Sequence, residues 1–155
     1  MGRVYLVVLL ALAGMLVLAG CSGDDGEEGS RGIPPRDYYD PLVDIGVRGS
    51  ELGRLLVAME PGDSAGASYV KELGQLRQRA EDLKPPSAFK KDHEAFVEGL
   101  GRLAEAGEQA ENSSQAGDEA GLASARKAIN ESLSSILDTM LAIRGSRSES
   151  PTPAS

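Results

Sequence analysis

The stretch from Ser87 to Ala110, SAFKKDHEAFVEGLGRLAEAGEQA, decides the fold. In it Phe89, His93, Phe96, Leu100, Leu103, Gly107 and Ala110 recur at alternating steps of four and three. That spacing lays one continuous stripe along an α-helix, whereas a strand would alternate its faces at every residue. Pro85-Pro86 forbids a helix running in from upstream, and Ser87 is read as the N-cap. The helix is expected to end between Asn112 and Gly117.

The same periodicity extends on both sides. Upstream, Asp40-Pro41 reads as an N-cap followed by proline at the first helical position, where its missing N–H costs nothing. Leu42, Ile45, Gly49, Leu52, Leu56 and Met59 then share a face as far as Pro61-Gly62. A second helix begins at Asp63 or Ser64, carries Val70, Leu73, Leu76, Ala80 and Leu83, and closes with Lys84 in its last turn. Downstream, Asp118 caps a fourth helix through Leu122, Ala125, Ile129, Leu133, Ile136, Met140 and Ile143 to Arg144-Gly145. Four amphipathic helices on short connections give an all-α class and, most economically, an antiparallel up-down four-helix bundle over residues 37–145. Glycines such as Gly46, Gly49, Gly53, Gly99 and Gly107 inside these helices predict modest stability and close helix approach. Residues 146–155 are polar and read as a disordered tail.

Composition narrows the chemistry. The chain has 155 residues with 16 Lys+Arg against 24 Asp+Glu, a net charge of −8, which disfavours general affinity for nucleic acid. One Cys and one His exclude an internal disulfide and any multi-cysteine metal site. The acidic run Asp24-Asp25-Gly26-Glu27-Glu28 lacks the ligand order of an EF-hand and reads as solvated linker. Glu94 and Glu98, one turn apart, read as solvated surface rather than an acid–base pair. No strand framework or G-x-S-x-G turn supports a nucleophile. No catalytic residue, cofactor or metal is assigned, and the chain is not read as an enzyme.

The N-terminus has the form of a secretion signal: Arg3, an uncharged run from Val4 to Leu18, then small residues up to the single cysteine. Leu18-Ala19-Gly20-Cys21 resembles the lipobox of bacterial lipoproteins, in which the cysteine is lipidated on sulfur and becomes the first residue after cleavage. The resemblance implies a signal peptide at 1–20, acylation of Cys21 with palmitate-type chains, and a lipid-anchored domain on the extracytoplasmic face of the cell membrane. Two acyl chains, at about 0.8 kcal/mol per buried CH₂, hold firmly where one holds marginally. Residues 21–36 form the lipidated cysteine and an acidic tether with a reach of about 20 Å. Because Ser22 rather than Asp follows the cysteine, the outer membrane is open to it in an organism with two membranes. An uncleaved signal anchor is the competing reading of the apolar run.

One further resemblance lies in the body. Leu83, Pro85, Pro86 and, seven residues on, His93 form a helix-stop, double-proline, helix-start pattern similar to that of uncharacterised small helical lipoproteins of bacteria. It implies a fold and a location, not an activity. His93 lies on the apolar stripe and is the candidate structural or ligand-binding residue. A ring bonded to a backbone carbonyl near the Pro85-Pro86 turn or to a tyrosine hydroxyl is the structural reading. Metal or haem ligation is the other, with Met59 or Met140 conceivable as haem partners, although no Glu-x-x-His pair or C-x-x-C-H supports it. Tyr38-Tyr39 are placed before the first helix, stapling the chain to the bundle. The function expected is that of a membrane-anchored interaction or structural module that acts by contact with an envelope protein or with a second copy of itself; a small-ligand or metal/haem binder using a cavity near His93 is the alternative.

Overall fold

The computed structural model describes residues 34–145. The expected signal peptide at 1–20, Cys21, most of the expected tether and the expected tail at 146–155 lie outside the described residues. Within them the chain forms α1 (Arg36–Val57), α2 (Gly66–Glu81), a 3₁₀ turn (Ser87–Phe89), α3 (Lys90–Ala116) and α4 (Glu119–Gly145), with no strand among the described residues. The helices pack as a bundle: α3 meets α4 most extensively and α2 next, α1 packs on α4 and α2, and α1 and α3 touch less.

The core follows the stripes. All seven positions read from the α3 stretch are buried, with Phe96, Leu100, Leu103 and Ala110 fully so. Leu42, Ile45, Leu52 and Leu56 from α1, Leu73 and Ala80 from α2, and Leu122, Ala125, Ile129, Ile136 and Ile143 from α4 close around them. Leu133 and Met140 are partly buried and sit over glycines of α1: the Met140 sulfur occupies the space a Cβ at Gly46 would need, and Leu133 lies 2.8 Å from a Cβ at Gly53. The close approaches expected from the glycines are thus largely side chains seated on bare backbone. Gly99 brings α3 close to α4: a Cβ there would stand 2.9 Å from Ile136 Cγ1 and 4.0 Å from its Cα.

Several boundaries differ from the sequence reading. The first helix starts at Arg36, not Asp40, so Tyr38 and Tyr39 lie inside it and Pro41 is an interior proline. Pro35, extended at φ −56° and ψ 145°, precedes it, and its carbonyl accepts the N–H groups of Tyr38 (3.2 Å) and Tyr39 (2.9 Å). Pro41 costs the bond its N–H would have given Asp37, but Asp37 is exposed to water, and the early turn is where proline is best tolerated. Burial of Tyr38 outweighs that loss. At its other end α1 stops at Val57, before Pro61-Gly62.

The second helix starts at Gly66 instead of Asp63 or Ser64, because Asp63 instead accepts the Glu60 N–H at 2.8 Å in the preceding turn. It ends at Glu81, so Arg79 and not Lys84 is the cation of its last turn. Ser87 opens a 3₁₀ turn and makes no side-chain cap; the α-helix follows at Lys90. The remaining signals act as read: Gly117 ends α3 in the left-handed region at φ 66°, and Asp118 accepts the Gly121 N–H at 3.0 Å to cap α4.

Two glycine substitutions separate the packing cost from the helix-propensity gain. Gly74 is exposed with nothing within 4 Å of a Cβ, so Gly74→Ala is expected to stabilise by about 0.5–1 kcal/mol. Gly99→Ala is expected to destabilise by about 1–3 kcal/mol through overpacking on Ile136. Urea denaturation of both variants checks the opposite signs.

Candidate functional site

His93 sits in the first turn of α3, and the elements around it supply its polar contacts. The Tyr38 hydroxyl of α1 is hydrogen-bonded to Nδ1 at 3.2 Å. The backbone of Ala80, near the end of α2, adds a polar contact that favours the charged ring. The imidazole is itself buried, at 6% exposure. Tyr38 also stacks on Phe89 at 6.4 Å and tilts against His93 at 5.8 Å between ring centroids. Three helices and the 3₁₀ turn converge on this node.

The electrostatics follow from burial. Desolvation pushes the imidazole below its ordinary 6.5, against the opposing pull of Glu94 and of the bond to Ala80. Tyr38 is pushed up to about 12, first by burial and then by the negative charge of Asp92. Both groups are held in their neutral forms.

The opposite end of the bundle carries polar contacts that the helical pattern did not reveal. Ser114 is fully buried and donates to the carbonyls of Glu60 (2.6 Å) and Asp63 (3.2 Å), while its own carbonyl accepts the Gly62 N–H at 2.9 Å. Arg126 reaches from α4 to the end of α1, donating to the carbonyls of Val57 (3.0 Å) and Met59 (2.5 Å), where a cation also suits the helix dipole. Glu111 is buried beside them at 7% exposure. Its Oε1 accepts from Gln115 Nε2 at 2.5 Å, and its Oε2 has no hydrogen-bond partner. That oxygen lies against Gly66, the first residue of α2, where the positive end of the helix dipole favours a carboxylate. A cleft of about 390 Å³ lined by Val70, Lys71, Glu108, Glu111 and Asn112 opens next to it.

The other candidates are not assembled into a centre. Glu94 and Glu98 are exposed, and Glu98 pairs with Arg102 at 2.5 Å. Met59 packs at Gly66 beside Glu111, about 27 Å along α3 from His93 at 1.5 Å rise per residue. Met140 sits over Gly46. Among the described residues no three His, Cys, Asp or Glu side chains are grouped to hold a metal ion. No helix among them is long and apolar enough to cross a membrane. The sequence signal for Arg126 and Glu111 was only their position next to Ala125 and Ala110 of the stripes; the carbonyl of Met59 bonded by Arg126 lies 67 residues away in the chain, and Glu111 lies against Gly66, 45 residues away.

Compared with protein-family models, curated proteins and solved structures, the chain matches none.

Because there is a single histidine, its linkage to folding can be isolated. With the folded value below 6.5, its contribution to stability is present above pH 6.5 and is lost as pH falls from 6.5 through the folded value. Chemical denaturation across pH 7.5 to 5 is expected to show this acid limb in the parent chain and a flatter one in His93→Gln. Tyr38 gives the mirror image, with stability lost as pH rises from 10 to about 12. Tyr38→Phe leaves Nδ1 without its hydrogen-bond partner and is expected to cost about 1–3 kcal/mol at pH 7.5.

Proposed function

We propose that this chain is a lipid-anchored extracytoplasmic protein whose helical bundle acts by contact, as an interaction or structural module of the cell envelope. The observation that carries the contact reading is the state of His93. The one residue for which ligand chemistry was conceivable is buried at 6% exposure, with its Nδ1 hydrogen-bonded to the Tyr38 hydroxyl. The lipobox-like Leu18-Ala19-Gly20-Cys21 supports the anchor, and the short acidic segment after it supports a domain held close to its membrane.

An antiparallel up-down arrangement is part of the proposal. Along α1 and α4, Gly46 meets Met140 and Gly53 meets Leu133, so seven residues forward on one match seven back on the other. Along α2 and α3, Val70 meets Gly107 and Arg77 meets Gly101, again in opposite directions. On α3 and α4, Gly99 meets Ile136, and Arg102 donates to Ser135 at 3.0 Å.

A small-ligand reading has one observation in its favour, the cleft beside the unpaired Glu111 Oε2. It lies at the far end of α3 from His93, so it is not the cavity expected from the sequence.

Replacing Cys21 by Ser is expected to move the protein out of the membrane fraction and to abolish incorporation of labelled palmitate. Unchanged labelling and retention in the membrane would overturn the anchor. Crosslinking in intact cells, followed by purification from the membrane fraction, tests the contact role directly.

A further inference from the structure

Three of the large apolar side chains left exposed gather on one face. Val47 of α1 (52% exposed) and Leu137 of α4 (50%) line one groove with Arg54 and Met140, and Leu141 (58%) stands one turn beyond Leu137. This face has an internal symmetry. Gly46 lies by Met140 and Gly53 by Leu133, so Thr139 is level with Val47, midway between Leu137 and Leu141. On α1, Asp40 precedes Val47 by seven residues and Arg54 follows it by seven. Seven residues are close to two helical turns, so the three share a stripe that runs acid, apolar, base. Asp40 and Arg54 are exposed, and neither forms an ion pair among the described residues.

We propose that this face docks on the same face of a second copy of the chain. The two-fold axis lies between the faces, crosses the helices at right angles and passes at the level of Val47. Rotation about it sets α1 antiparallel on α1 and α4 antiparallel on α4. Val47 then meets Val47, Asp40 meets Arg54 of the second copy, and Leu137 meets Leu141 of the second copy. A two-fold interface must complement itself, and a single axis here satisfies the charged pair on α1 and the leucine pair on α4 together. An unrelated partner would require neither coincidence.

Magnitudes make the association weak. Stable interfaces bury about 800 Å² per partner, and a patch centred on a few side chains from two helices falls short of that. The net charge of −8 opposes association, although salt at 0.1 M screens exposed charges beyond about 10 Å. The Asp40–Arg54 pairs therefore select the register, and the leucine and valine contacts supply the attraction. If both copies are held on one membrane, as the proposed anchor implies, their effective concentration rises without any new contact. The inference deepens the contact-module reading by naming the partner, while its geometry does not depend on the anchor.

The test is sedimentation equilibrium on the full chain in mild detergent, with circular dichroism as the control for folding. A monomer–dimer equilibrium is expected for the unaltered chain. Asp40→Arg sets two arginines against each other and Arg54→Asp sets two aspartates, so each alone is expected to weaken the dimer about tenfold. An equimolar mixture of the two variants presents opposite charges at both contacts, and it is expected to restore association as a heterodimer. A monomer at every concentration, single variants that dimerise like the unaltered chain, or a mixture that fails to recover would overturn the proposal. Crosslinks in cells to another envelope protein and never to a second copy would sink it too, while leaving the broader contact role standing.

Discussion

The bundle depends on keeping water off one side of α3. Its stripe from Phe89 to Ala110 carries both phenylalanines of the chain, and Phe89, Phe96, Leu100 and Leu103 are each at most 2% exposed. No single neighbouring helix is wide enough to cover such a stripe. The flanks of α3 must be closed by α2 and α4, and α1 then lies over the remaining opening through Leu52 and Leu56. Glycine at positions 49, 99 and 107 allows this, because at each a neighbouring side chain occupies the space a methyl group would need. The scarcity of aromatic residues has the same consequence: with few large side chains to fill space, close seating must replace bulk.

The two ends of the bundle are fastened by different chemistry. At one end the contacts are between rings, and the polar atoms of Tyr38 and His93 satisfy each other in a buried setting that disfavours charge on either. At the other end they are between side chains and loop carbonyls. Ser114 and Arg126 take up carbonyls from the connection between α1 and α2, which would otherwise be left unpaired where the helix stops. Arg126 brings a full charge to that task, and the exposed main-chain oxygens of a helix C-terminus are where a cation is most useful. Glu111 complements it at the start of α2, so acid and base each stand at the helix end of opposite sign.

Periodicity carried most of the architecture. Most of the buried apolar positions of α3 and α4 could be read from the spacing, since apolar periodicity directly reports which side must leave water. Asp118 was legible for a local reason, as it acts within four residues of itself. What could not be read in this way were competing local signals and distant partners. Asp40-Pro41 is a good helix start taken alone, yet Tyr38 gains more by extending the helix toward an imidazole 55 residues away. Ser87 resembles a cap, but Phe89 is drawn into the core by a tighter turn. His93 was visible as a lone polar residue on an apolar stripe; that it bonds to Tyr38 is a property of helices meeting across 55 residues of chain. Glu111 drew no reading from the sequence, because a sequence pattern does not show which helix end will lie over it.

Pro34 and Pro35 place the first described residues of the chain immediately beside Tyr38, with Pro34 itself buried. A pull on the N-terminal side therefore enters the molecule through two residues of restricted backbone, with little slack before it reaches the aromatic node. The load falls on the first turn of α1, and the hydroxyl-to-imidazole bond joins that turn to α3. Resistance to tension at this end is thus concentrated in a few buried groups, while the charged pairs along the helix surfaces bear almost none of it.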